Sequence, residues 1–128
     1  MEGPPLPDGV LVQSIYEDAE GEQAGWRVWQ DGRHEGRRAD DEGWTAGPTI
    51  DAAGVDELRA ILDDADLDAM AGVHRPEGET EHESTLWFQV ARSDGTTATV
   101  ALTGGASLPA LDALIARLTP ILSGGAAP

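Results

Sequence analysis

Apolar and polar positions alternate in some stretches of this chain and recur at helical spacing in others. Val10 to Glu17, reading VLVQSIYE, is rich in β-branched residues and predicts a first strand. Residues 18–25, DAEGEQAG, read as a long acidic turn. Trp26 to Gln30 predicts the next strand, Asp31-Gly32 a hairpin turn, and Arg33 towards Arg38 the returning strand. Residues 37–49, RRADDEGWTAGPT, read as a loop that carries Trp44.

Helical spacing starts after Asp51, a natural N-cap. Val55, Leu58, Ile61, Leu62 and Ala65 form one stripe, with Asp56, Glu57, Arg59, Asp63 and Asp64 mostly outside it. DADLDAMAG closes this helix, with Leu67 and Met70 tucked underneath and Gly72 as terminator. Residues 74–83, HRPEGETEHE, form a polar loop. A second helix starts near Ser107 with Pro109 in its first turn and carries the stripe Leu111, Leu114, Ile115 and Leu118. Pro120 lacks a backbone donor and is expected to end or kink that helix near Leu118, while Ile121 and Leu122 can still pack.

Between the helices, STLWFQVARSDGTTATVALT is the clearest hairpin, and its register can be argued. A two-residue Asp94-Gly95 loop sets Phe88 opposite Ala101. A three-residue loop, Ser93 to Gly95, sets Phe88 opposite Val100, Leu86 opposite Leu102 and Val90 opposite Ala98. A slip of one residue exchanges the two faces, so the second choice, which gives one coherent apolar face, is preferred. Trp87 then lies on the other face. The whole predicts an α+β domain: an antiparallel sheet of four to five strands, two helices on one face, order ββ(β)-α-ββ-α. Residues 1–8 are expected to be a flexible arm, 9–122 the single domain and 123–128 a flexible tail.

Composition narrows the chemistry. The 128-residue chain carries 24 acidic and 8 basic side chains, a net charge of −16, and every basic residue is arginine. Absence of lysine and asparagine, both encoded by A-rich codons, points to a GC-rich genome. The acidity fits a heavily solvated or salt-adapted surface, a basic partner, or mimicry of nucleic acid. Direct nucleic-acid binding is disfavoured, because phosphate affinity comes mainly from positive charge. There is no cysteine, long apolar run or secretory signal, which excludes thiolate chemistry and makes the cytoplasm the expected compartment.

Nothing in the chain predicts an enzyme or a cofactor. Asp64, Asp66 and Asp68 alternate like a calcium loop, but Ala69 and Arg75 stand where its glycine and glutamate belong. Glu77, Glu79, Glu81 and Glu83, flanked by His74 and His82, read as an exposed acidic loop. His34, His74 and His82 sit in no nucleophile motif, and Gly104-Gly105 without a lysine is a strand-to-helix connection. What remains is a surface. In Trp26-Arg27-Val28-Trp29, alternation sends Trp26 and Val28 towards the helices and Trp29 to the open face beside Trp87. Aromatics dominate interface hot spots, so this face is a candidate docking surface unless Trp44 and its loop, or the N-terminal arm, fold over it. In the first hairpin a two-residue turn pairs Trp29 with His34, and a three-residue turn sets Arg27 opposite Glu35.

The runs LRAILDDADLDAM, STLWFQVARSDGTTATVAL and SLPALDALIARL are together similar to emfourin-like proteins, small bacterial inhibitors of thermolysin-like metalloproteases. The shared pattern is a helix ending in a short segment with a buried large residue, a hairpin around an acidic-Gly turn, and a Pro-Leu helix. It covers about residues 50–122. The resemblance implies a non-catalytic inhibitor that occludes a protease cleft without being cut and protects the producing cell from its own enzyme. On that reading the expected contact loops are the first hairpin, with Trp29, Asp31, Arg33 and His34, and the acidic turn, with Glu20 and Glu22. The competing expectation is a non-inhibitory acidic interaction module: an immunity protein, an assembly subunit or a nucleic-acid mimic.

Overall fold

The computed structural model describes residues 6–18, 20–38, 43–74, 84–92, 94–104 and 108–122. The glutamate run at 77–83 with His82, most of the expected arm and the whole tail lie outside the described residues. Ten elements follow in order: β1 (Val10–Glu17), β2 (Gln23–Trp29), β3 (His34–Arg37), β4 (Thr45–Ala46), α1 (Ala52–Asp64), α2 (Leu67–Met70), β5 (Gly72–His74), β6 (Thr85–Ala91), β7 (Thr97–Thr103) and α3 (Pro109–Leu122). The class is α+β, as the alternating and helical patterns predict. The sheet is larger than expected and not wholly antiparallel. Among the described residues it has seven strands in the order β4-β3-β2-β1-β6-β7-β5, with β5 parallel to β7 and the other pairs antiparallel. The added strands β4 and β5 have two and three residues, too short for an alternation to register in sequence.

β1 has the bounds its pattern predicts and sits at the centre, paired to β2 and β6. The β6–β7 register is the one chosen on the apolar-face argument: Leu86 opposite Leu102, Phe88 opposite Val100, Val90 opposite Ala98. One face of the sheet packs its Val12, Val28, Phe88, Val90, Val100 and Leu102 against Val55, Leu58 and Leu62 of α1 and Leu111, Leu114, Leu118 and Ile121 of α3. Phe88 is fully buried, and Trp26 meets it edge-on at 6.4 Å between ring centroids. Asp51 caps α1 by accepting the Gly54 N–H at 2.8 Å. Leu67 and Met70 are buried as expected, but in a separate short helix whose N-cap is Asp66 rather than in the closing turn of α1.

Two expectations are corrected. α3 does not stop near Leu118 but runs through Pro120 to Leu122. The proline removes one intrahelical bond, and burial of Ile121 in the core holds the last turn against that loss. The stretch 18–25 is not a long turn, because β2 already starts at Gln23.

The β1–β2, β2–β3 and β6–β7 hairpins close in the same way. Asp18 and Glu22, Trp29 and Arg33, and Arg92 and Thr96 are the closing pairs, each joined by an N–H···O bond of 2.8 to 2.9 Å and separated by three residues. In each, the third loop residue is a glycine with positive φ: Gly21 at 89°, Gly32 at 95° and Gly95 at 89°. An aspartate orders each loop by accepting a backbone N–H: Asp18 from Glu20, Asp31 from Arg33, Asp94 from Thr96. A left-handed glycine after a tight turn gives such a loop its register-setting bulge.

Candidate protein-docking site

The β2–β3 hairpin holds most of the residues expected to meet a partner. Its three-residue loop puts Arg27 opposite Glu35 and Val28 opposite His34. On the face away from the helices, the Arg27 guanidinium donates to Glu35 at 2.8 Å, and both side chains are largely buried. The Trp29 indole N–H donates to the same carboxylate. Guanidinium and indole then follow one another: Arg33 lies 4.3 Å from the Trp29 ring centroid, Arg27 5.2 Å from Trp29 and 4.2 Å from Trp44. Each such contact is worth roughly 0.5–1 kcal/mol at an exposed site and more where desolvated. Desolvation raises the Glu35 pKa, but the bonds from Trp29 and Arg27 outweigh it and hold the carboxyl below the ordinary glutamate range.

The tip beyond this cluster is exposed and fixed. Asp31 accepts the Arg33 backbone N–H at 3.0 Å and pairs with its guanidinium at 2.9 Å, and both side chains are about 60% exposed. The Arg33 backbone bond, opposed by weak desolvation and aided by the guanidinium charge, lowers the Asp31 pKa. Three contacts tie the tip to the body. The Gln30 N–H donates to the Gly9 carbonyl at 2.8 Å, the Ile50 N–H to the Gly32 carbonyl at 2.8 Å, and Arg59 of α1 to the Gln30 carbonyl at 3.3 Å. A Cβ on Gly32 would stand 2.1 Å from the Ile50 carbonyl oxygen, so only glycine fits there.

His34 behaves differently from its neighbours. It is half-buried, its Nδ1 has no hydrogen-bond partner, and desolvation lowers its pKa, favouring the neutral ring. Glu20 and Glu22 are exposed in the β1–β2 loop. That loop is at the opposite end of β2, whose seven residues span about 20 Å, so the two expected contact loops do not form one site.

Trp87 lies on the expected face but is no docking surface. It is only 5% exposed, clustered with Ile15 and Ala101 and packed against Trp44. The alternative in which Trp44 folds over that face is the one observed. The aspartates at 64, 66 and 68 have structural partners: Asp64 with Arg117, Asp66 as the N-cap of α2, and Asp68 with Arg92.

Sequence reasoning had the Arg27–Glu35 pairing as one of two registers, and Asp31-Gly32 suits either turn length, so it did not choose between them. It had named Trp44 as a cover for the Trp87 face, but not the stacking of Arg27 on the Trp44 ring. Among the described residues no helix is long and apolar enough to cross a membrane. No family model, curated protein or solved structure matches the chain.

Proposed function

We propose that this chain is a protein inhibitor of a thermolysin-like metalloprotease, and that it works by laying the Gln30–Arg33 tip across the enzyme's cleft. The observation that carries this reading is the tip itself, two exposed charged side chains on a backbone tied to the body at Gly9, Ile50 and Arg59. A pre-ordered loop loses little entropy on docking and resists the local unfolding that cleavage requires. The similarity of residues 50–122 to emfourin-like inhibitors supplies the target class. The guanidinium–indole cluster behind the tip supplies the residue types that anchor interfaces. The test is activity of a panel of thermolysin-like proteases, one from the same genome included, from substoichiometric to excess protein. Stoichiometric loss of activity with the protein recovered uncut is the expected result. Full activity across the panel at excess overturns it.

A second reading, a non-inhibitory acidic interaction module, draws on the net charge of −16. Salt separates the two. An acidic mimic loses most of its affinity as the screening length falls to roughly 8 Å, and a contact anchored by aromatic burial loses much less.

A further inference from the structure

Beside the hairpin tip is a cleft of about 290 Å3 with an apolar floor and a charged rim. Leu11, Leu62, Leu67 and Val90 contribute the floor, from β1, the last turns of α1, α2 and the end of β6. Gln30 of the tip and Arg59, which donates to the Gln30 carbonyl, form the wall shared with the candidate docking site. Against two guanidinium groups, Arg59 and Arg92, the lining sets four carboxylates, Asp63, Asp66, Asp68 and Asp94. Both guanidinium groups are already engaged: Arg92 with Asp68 at 2.6 Å, and Arg59 with Asp56 at 3.5 Å as well as Gln30. Asp63 has no ion-pair partner among the described residues, and Asp66 and Asp94 hydrogen-bond to uncharged groups, Ala69 and Thr96, with Asp94 also drawn to the Arg92 charge that Asp68 already pairs. The unspent charge in the cleft is negative.

We infer that this cleft takes a lysine or arginine side chain presented by a protein partner. An anion meets net negative charge at every scale, in the lining and in the chain as a whole. A purely apolar group leaves the rim carboxylates to be desolvated without compensation, which costs more than its own burial returns. A basic side chain meets both requirements, because its aliphatic stem covers the floor while its charged head stays at the wet rim. The volume is at the small end for ligand sites and suits one side chain better than a larger cofactor. The inference shares with the proposed inhibitor only the premise that the partner is a protein, and it adds that this partner is basic where it meets the cleft.

The experiment needs no protease. The isotopically labelled protein is titrated at low salt with Nα-acetyl-arginine amide and Nα-acetyl-lysine amide, and separately with the norleucine amide, the glutamate amide and cadaverine. Amide shifts are followed by NMR. The cationic amides are expected to give saturable shifts at Leu62, Leu67, Val90 and Asp94 in the millimolar range. They should bind at least threefold more tightly than the norleucine amide or cadaverine, with the glutamate amide weakest. Asp63→Asn together with Asp66→Asn, in which asparagine keeps the helix cap, should weaken the cationic amides at least threefold. No saturation with either cationic amide, equal binding of the norleucine or glutamate amide, or cadaverine as the tightest ligand would each overturn the inference. A protein that inhibits a protease but ignores these amides loses the cleft and keeps the proposed function. One that binds them and inhibits nothing does the reverse.

Discussion

The two faces of the central sheet are built from the same strands and do different work. Phe88 and Trp87 are neighbours on β6 and both are buried, yet their surroundings differ. Phe88 is fully enclosed in a core between two layers, the sheet and the pair α1 and α3. Trp87 belongs to a small cluster of Ile15 and Ala101 under Trp44, beside a buried Gln13–Gln89 bond of 2.6 Å. The first face is apolar and large. The second is mixed: an aromatic lid over its centre, then the guanidinium–indole run towards the hairpin tip. Burial alone therefore does not distinguish core from surface here; what lies above the residue does.

The largest expected effect sharpens this contrast directly. Phe88→Ala should cost about 3–5 kcal/mol, because the sheet below and α1 and α3 together above limit collapse into the cavity. Trp87→Ala should cost no more than about 3 kcal/mol, since a single lid residue can settle into the space. Urea midpoints at unchanged slope measure both, and equal losses would mean the second face is as firmly packed as the first. Gly32→Ala comes next, at about 1–3 kcal/mol for the left-handed backbone alone. The carbonyl of Ile50 stands in the way of the new methyl group, so hydrogen exchange at Asp31–Arg33 should rise as the tip loosens. Arg27→Met leaves Glu35 with only the indole as donor and should cost about 1–2 kcal/mol, discounted for partial exposure of the pair.

The smallest effect is in pH. His34 binds its proton less readily when folded, so the unfolded chain is the more protonated state below the ordinary histidine pKa of about 6.5. Stability is then lost as pH falls from about 7 to 5, and His34→Phe should flatten that part of the profile. Glu35 works in the same direction at lower pH, because its depressed pKa gives stability that disappears only as the carboxylate is protonated. A denaturation midpoint that does not change between pH 7 and 5 in the unmodified protein would contradict the buried neutral state of His34.

Much of this was legible from side-chain patterns, and the exceptions share a cause. The β6–β7 register followed from demanding that Leu86, Phe88 and Val90 share a face with Leu102, Val100 and Ala98. The α1 cap and stripe followed from Asp51 and the spacing after it. The β1–β2 loop was misread because DAEGEQAG carries turn-forming residues across its whole length, while only Gly21 has the positive φ that makes the bend. Of the two outcomes expected at Pro120, an end or a kink, the end does not occur, and Ile121 packs in the core as the reading allowed. The cleft at Leu67 and Arg92 brings together residues far apart in sequence, and no local pattern encodes such a meeting. The candidate site was half legible. Its residues were named, and chain order already put Glu20 and Glu22 at the other end of the strand. The ties of the tip to Gly9, Ile50 and Arg59 were not foreseen.

That separation permits the most direct measurement. A thermolysin-like protease inhibited by the protein would be titrated with the unmodified chain, with Arg33→Ala at the tip, and with Glu20→Ala, Glu22→Ala at the far loop. All these side chains are exposed, so the variants should fold alike. Inhibition through the tip should appear as at least a tenfold loss of affinity for Arg33→Ala and less than a threefold change for the far-loop pair. The reverse order, or an unchanged affinity for Arg33→Ala, would contradict a docking site at the fixed hairpin tip.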